Sequence, residues 1–190
     1  AEAMMLEIAA QASWLGRAAE PIFGIQFSVL RVLQGRSGEI VDVARAIAAQ
    51  QTETPAVRAG VAVFLARAGR EIEARAEFEP LADAIDDLPR DMNYLTALAH
   101  LCEAAALLGD AARAARAYER LSPHAGLSVT IGGGCAYFGC VDHYLGMAAA
   151  AMGRSADARR HLDGAMAAYA ALGARPWQAL AQRDLGVVLL

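Results

Sequence analysis

Apolar residues along this chain fall in helix-length segments, and glycine, proline or short polar stretches separate one segment from the next. Capping residues and prolines open these segments and glycines close them, which is the usual arrangement at helix ends. The pattern disfavours strands. It predicts helices at 2–15, 21–34, 38–50, 55–68, 70–87, 91–108, 110–122, 135–152, 155–172 and 176–190.

Four of the closing glycines lie at comparable intervals. Gly35, Gly69, Gly109 and Gly153 are separated by 34, 40 and 44 residues, and each stands between two apolar segments. A repeat of this length, with one helix pair in each unit, is the sequence signature of an α-solenoid. The sequence therefore predicts an all-α fold of stacked antiparallel helix pairs, with residues 1–190 forming a single repeat array.

The residues that follow these glycines recur as well. In three of the four units an alanine comes five residues after the glycine, and a large apolar residue comes four residues later. Such positions share one helix face, so the small residue lets a neighbouring helix approach and the large one fills the space beside it. The pairs are Ala74 with Phe78, Ala114 with Tyr118, and Ala158 with Leu162. The dipeptide Leu145-Gly146 returns 40 residues later as Leu185-Gly186, which predicts that a further repeat begins there.

This combination of Leu-Gly, Gly, Ala and a large residue resembles the tetratricopeptide repeat (TPR). The Gly35 unit departs from it, with Ile40 and Ala44 at the two helix positions, and the later intervals are longer than the family's usual one. The resemblance implies a right-handed superhelix in which the first helix of each pair lines a concave groove. On this basis the groove is lined by Thr96, Glu103, Cys140, His143, Met147 and Arg183, and is extended by Ile22, Ile25 and Val29.

A groove of this mixed apolar and polar character suits a protein or peptide partner, in the form of an amphipathic helix or an extended peptide, or a small effector. It does not suit an acidic tail, because the rows of lysine that clamp such tails are missing. The alternative is that the same residues pack against neighbouring domains.

Short motifs in the second half of the chain give a narrower comparison. They are Leu107-Leu108-Gly109-Asp110, Tyr118, Gly132-Gly133, Tyr144-Leu145-Gly146, Gly153-Arg154, Ala158 and, most specifically, Gly173-Ala174-Arg175-Pro176-Trp177. Together they resemble the TPR-like C-terminal arm of large bacterial signal-transduction ATPases, whose effector is a LuxR-type DNA-binding domain or a nucleotide cyclase. The resemblance implies a non-catalytic sensor arm, with the ATPase and effector domains elsewhere in the parent protein. A freestanding helical adaptor that binds a peptide is the alternative.

Composition and charge bear on the possible partners and on the cellular location of the chain. The net charge of −4 and the pI near 5.6 give no basic surface for nucleic acid. No apolar run approaches the roughly 18 to 20 residues that span a bilayer, and the three cysteines fit reduced thiols in the cytoplasm. The chain begins without an initiator methionine and closes on an apolar stretch, so we expect a piece of a larger protein that self-associates through its exposed terminal repeats.

Few residues carry candidate chemistry. If Cys135, Cys140 and His143 lie on one helix, Cys140 and His143 are about 60° apart and share a face, whereas Cys135 does not. This arrangement predicts no metal site, and a Cys140–His143 nucleophile is the enzymatic alternative to a binding role. The glycines 132–134 favour a flexible loop, with an anion site at a helix N-terminus as the other interpretation.

The remaining histidines and tryptophans are assigned structural roles, and no cofactor is predicted. His100, His124 and His161 are scattered along the sequence, so we expect ordinary solvated or partly packed side chains. Trp14 and Trp177 fall on apolar helical faces, which predicts that both belong to the core.

Overall fold

The computed structural model describes residues 2–11 and 19–189. The protein is mostly helical, as the sequence predicts. Within the described residues its helices are α1 Glu2–Gln11, α2 Ala19–Leu33, α3 Val41–Gln50, α4 Pro55–Arg67, α5 Glu71–Asp83, α6 Tyr94–Leu107, α7 Ala111–Leu121, α8 Val141–Ala151, α9 Ser155–Leu172 and α10 Arg175–Leu189. Two short strands, β1 Ser128–Ile131 and β2 Ala136–Cys140, precede α8. Trp14 lies outside the described residues.

The two strands correct the sequence analysis, which predicted no strand and began a helix at residue 135. β1 and β2 form an antiparallel hairpin in which Thr130 pairs with Tyr137 and Ile131 with Ala136. The turn between them contains three consecutive glycines, 132–134, all at positive φ, where residues with a side chain are strained. A fourth glycine, Gly139, has a φ of 100°. These conformations break a helix, so α8 begins only at Val141.

The repeating glycines end helices in the same way at all four positions. Gly35, Gly69, Gly109 and Gly153 have φ values between 65° and 75°. After each one, the next backbone N–H donates to a carbonyl five residues earlier, as in Arg70 N to Leu65 O at 2.9 Å. This is the Schellman arrangement, which pairs carbonyls that a helix end otherwise leaves free. The prediction that these glycines terminate helices is confirmed.

Helices from α4 onward pack in sequential order. α4 contacts α5 and α6, α6 contacts α7 and α8, and α8 contacts α9, which in turn packs on α10. The alanines predicted to allow close approach, Ala74, Ala114 and Ala158, are fully buried, and so are Phe78 and Leu162. Trp177 is also buried, as predicted.

The hairpin lies against the face of α6, and α2 covers it from the other side. Thr96 on α6 donates from its hydroxyl to the Thr130 carbonyl at 2.8 Å, and the Asn93 side-chain oxygen accepts from Gly132 N at 2.9 Å. From α2, the Gln26 amide donates to the Cys135 carbonyl at 3.1 Å. The first helix of the α6–α7 pair therefore faces the hairpin and not open solvent.

None of the described helices combines the length and apolar character needed to cross a membrane.

The acidic and basic side chains on α5 lie at its surface, where Glu71 and Arg75 form an i,i+4 ion pair at 2.9 Å. The pair therefore lies on a solvent-facing side of α5.

Substitution of Gly146 tests whether the glycine of the Leu-Gly dipeptide allows α8 and α9 to pack closely. A Cβ at Gly146 would lie 2.6 Å from Leu162 Cγ on α9, whereas one at Gly186 would meet nothing within 4 Å. We expect Gly146→Ala to lower the free energy of unfolding by about 1–3 kcal/mol, because it overpacks the α8–α9 contact. Gly186→Ala is the matched control and is expected to leave stability equal or higher by up to about 1 kcal/mol. Urea denaturation measures both, and an equal effect of the two substitutions would contradict the proposed close approach.

Candidate functional site

Most of the residues predicted to line a groove are buried. Thr96, Glu103, Cys140, His143 and Met147 are each at most 9% exposed, while the side chain of Arg183 is 51% exposed. The sequence analysis did not anticipate the hairpin, which contains Cys140 and covers α6 at Thr96, so this part of the predicted groove is an interior.

A buried chain of hydrogen bonds joins the hairpin to three helices. The hydroxyl of Tyr169 on α9 accepts from the Cys140 backbone N–H at 3.1 Å and lies 3.0 Å from His143 Nδ1 on α8. The other ring nitrogen of His143, Nε2, lies 2.9 Å from a carboxylate oxygen of Asp184 on α10. Since a carboxylate accepts, Nε2 carries a hydrogen and donates it to Asp184, and the Tyr169 hydroxyl is the hydrogen-bond partner of Nδ1.

Burial and charge set the protonation of this chain. Burial raises the pKa of Asp184, but the hydrogen bond and charge of His143, together with Arg183, outweigh it and hold the pKa below its usual value. Burial also raises the pKa of the Tyr169 hydroxyl. At neutral pH the chain therefore runs from an ionised Asp184 through His143 to a protonated Tyr169.

In this geometry His143 is not available as a general base for Cys140. Both ring nitrogens of His143 are hydrogen-bonded to Tyr169 and Asp184, and Cys140 is the last residue of β2, not part of the α8 helical face. Burial raises the pKa of the Cys140 thiol, which disfavours the thiolate that a nucleophile needs. The arrangement holds Cys140 as a packed side chain.

A second carboxylate–histidine–tyrosine chain lies nearby. His161 Nδ1 is 2.9 Å from Asp142 and its Nε2 is 3.0 Å from the Tyr118 hydroxyl. Asp142 also accepts from the backbone N–H of Gly126 at 2.7 Å, which fixes the segment that leads into β1. His161 is 8% exposed and His100 only 3%, so both are more deeply packed than the sequence analysis expected. The burial of His161 could have been predicted from the sequence, because His161 lies between Ala158 and Ala165 and next to Leu162, all of which are buried.

The described residues contain no group of three side chains placed to bind a metal ion. Cys135 lies in the hairpin turn, where its thiol donates to the Gly132 carbonyl at 2.9 Å. The glycines 132–134 form that same turn and do not precede a helix, so the anion site considered from the sequence has no helix N-terminus to act on.

An open groove remains between the C-terminal halves of α4, α6, α8 and α10. Its volume is about 560 Å³. Most of its surface is apolar, with several alanines in the floor, and two of the predicted residues, Met147 and Arg183, belong to it. We call this surface the α4–α10 groove; it is lined by Ala66, Arg67, Ala106, Leu107, Met147, Ala150, Ala151, Leu162, Arg183, Asp184, Val187 and Val188.

The charged groups of the α4–α10 groove are paired. Arg67 Nε and Nη2 lie 2.6 and 2.5 Å from the buried Glu103 carboxylate, whose charge raises the pKa of Arg67. Arg183 Nε and Nη2 lie 2.8 and 2.6 Å from Asp184. Because Asp184 also accepts from His143, the rim of the groove is hydrogen-bonded through the core to Tyr169 and the hairpin.

No family model matches this chain, and no curated protein or solved structure matches it. The function proposed below therefore rests on the geometry of the α4–α10 groove and on the sequence patterns that led to it.

Gly139 is the residue that lets Tyr169 reach the hairpin. A Cβ at Gly139 would lie 2.6 Å from the Tyr169 hydroxyl, whereas one at Gly134 would meet nothing within 4 Å, and both glycines have a φ of 100°. We expect Gly139→Ala to cost at least about 1 kcal/mol more of unfolding free energy than Gly134→Ala, since only the former adds a clash to the backbone strain. Chemical denaturation of the two variants measures the difference, and equal costs would show that Tyr169 is not held at this distance.

Asp184 should make stability depend on pH. Its folded pKa lies below the unfolded value of about 3.9, so its stabilising effect is complete above that value and is lost as pH falls through the folded pKa. We expect Asp184→Asn to cost about 1.5–3 kcal/mol at pH 7 and to flatten the acid limb of the stability curve. Asp87→Asn, at an exposed position, is the control. Parallel acid limbs for wild type and Asp184→Asn would contradict this assignment.

Proposed function

We propose that this chain is a TPR-like protein-interaction and ligand-sensing domain of a cytoplasmic bacterial transcriptional regulator or cyclase-linked signalling ATPase. In this proposal its helix pairs form a right-handed α-solenoid, and the domain binds a partner without catalysing a reaction. The α4–α10 groove is the observation that carries the proposal, because it is a large open concavity formed by consecutive first helices of the proposed repeats.

The repeat geometry supports the TPR-like part of the proposal. Four helix ends share one hydrogen-bonding arrangement, and α4, α6 and α8 pack on one another in succession. The string from Gly173 to Trp177 forms the junction between two helices: Gly173 ends α9 with a φ of 66°, and α10 begins at Arg175 with the buried Trp177 in its first turn. The motif that carries the narrower family resemblance thus has a local structural role as well.

The lining of the groove favours an amphipathic helix as partner. The side chains of the alanines at 66, 106, 150 and 151 project little into the groove, so the backbone of a partner helix can approach closely. The volume of about 560 Å³ lies within the range of small-molecule sites, so a small effector is the alternative occupant. Arg67 and Arg183 are each paired with a carboxylate. The groove therefore favours a ligand that makes apolar contacts and a few hydrogen bonds over a highly charged one.

In the proposed parent protein, partner binding would favour one of two states of an ATPase core and its DNA-binding or cyclase domain. The only requirement is that the partner binds the two states with different affinity. Exposed apolar side chains at Leu172, Val187 and Leu189, between 62% and 69% accessible, support self-association through the terminal helices as part of the same proposal. A freestanding adaptor would use the same groove.

Selection from a displayed library of amphipathic helical peptides tests the groove. We expect peptides that bind the wild-type chain to lose at least about 10-fold in affinity against Ala150→Arg, because the new side chain stands in the small-residue floor. The matched control is Ala112→Arg, at an exposed position on α7 outside the groove, which should bind as the wild type does. Peptides that bind all three proteins equally would place the interaction elsewhere and contradict the proposal.

A further inference from the structure

A second concavity lies among the N-terminal helices and shares no lining residue with the α4–α10 groove. It is a cavity of about 50 Å³ between α2, α3, α4, α6 and the hairpin. Its walls are almost entirely apolar, with side chains from Ile25, Ile47, Val57, Phe64, Ile131 and Phe138. We call it the inner cavity. Neither the candidate site nor the proposed function uses it.

His100 is the one ionisable side chain in the lining of the inner cavity, and it is 3% exposed. Its Nδ1 lies 3.2 Å from the Ala56 carbonyl, which can only accept, so Nδ1 carries the hydrogen. Burial lowers the pKa of the ring, which is therefore neutral at pH 7, and Nε2 is an acceptor. No described residue hydrogen-bonds to Nε2; an edge-on contact with Phe138, with ring centroids 5.2 Å apart, fixes the ring instead.

We propose that the inner cavity binds a small, mostly apolar molecule with one hydrogen-bond donor, of the class of phenols and small alcohols, which donates to Nε2 of His100. Nε2 has no hydrogen-bond partner among the described residues, so a donor that reaches it gains affinity that an apolar molecule of the same shape lacks. The remaining walls supply apolar contact only. This is the composition of a typical small-molecule site, with many apolar groups and few polar ones.

The size of the inner cavity sets which wall must move. A volume of about 50 Å³ exceeds the roughly 10–15 Å³ that one water needs but is below the roughly 150 Å³ of a cavity that takes benzene. α2 is the wall that yields, because Ile25 and Ser28 on it are only partly buried. Gly24 brings α2 against α3, since a Cβ there would lie 3.3 Å from Ile47 Cδ1. An outward shift of α2 would enlarge the cavity for a single ring, at the cost of loosening the contacts of Ile25 and Val29 with the core.

Phenol and toluene are the matched probes, because they differ mainly in the donor group. We expect titrations followed by NMR to shift the His100 ring and Ile47 and Ile131 methyl signals, with phenol binding about 2- to 10-fold tighter than toluene, the range of one net hydrogen bond. In His100→Phe this preference should disappear. Ala44→Leu fills the cavity and should abolish binding of both probes, whereas Ala84→Leu, at an exposed position outside it, should leave binding unchanged.

Two results would overturn the proposal. Signals that move only around Met147 and Val187 would place the probes in the α4–α10 groove, and unchanged signals up to millimolar phenol would show that the inner cavity admits no ring. Equal binding of phenol and toluene to wild type would remove the role of His100. If His100→Phe does not fold, the comparison of Ala44→Leu with Ala84→Leu decides the location, and the phenol-to-toluene ratio in wild type decides the donor. A failed peptide selection leaves these outcomes unaffected.

Discussion

The hydroxyl of Tyr169 is the point on which the arrangement of this protein depends. It joins the end of β2 to α8 and α9, and through His143 it reaches Asp184 on α10. Tyr169, Cys140 and His143 are buried and Asp184 is partly buried, so a missing partner in the interior leaves an unsatisfied polar atom that costs about 1–3 kcal/mol. The approach is possible only because residue 139 has no side chain. This polar chain ties the hairpin to α8, α9 and α10, whereas Thr96, Asn93 and Gln26 hold it from the side of α6 and α2.

The position of the hairpin decides which surfaces are open. It occupies the inward face of α6, where Thr96 and Asn93 hydrogen-bond to β1 and its turn. The space left along the first helices is then divided: the α4–α10 groove lies toward their C-terminal ends, and the inner cavity lies under α2. Asp184 belongs both to the lining of the groove and to the Tyr169 chain, so one residue links Arg183 at the groove to the hydrogen bonds of the hairpin.

The helices and their ends could be predicted from sequence because local chemistry determines them. Gly35, Gly69, Gly109 and Gly153 adopt a conformation that other residues avoid, and that conformation stops a helix wherever it occurs. The hairpin was missed because its second strand continues an apolar run into α8, and period alone cannot separate a short buried strand from the first turn of a helix. The glycines at 132–134 and 139, with the alternating pattern of 128–131, were the local signal for it.

The candidate site was predictable only in part. Met147 and Arg183, chosen from helical offsets, belong to the α4–α10 groove, but Thr96 is covered by the hairpin, and Cys140 is part of that hairpin and not of a helix. Hydrogen exchange of Tyr169→Phe tests the central claim most directly. The account predicts faster exchange of the amides in 126–140 and at the start of α8, with protection of α4 and α5 unchanged. Unchanged protection of the hairpin would show that its other contacts are enough to hold it and would contradict the role given to Tyr169.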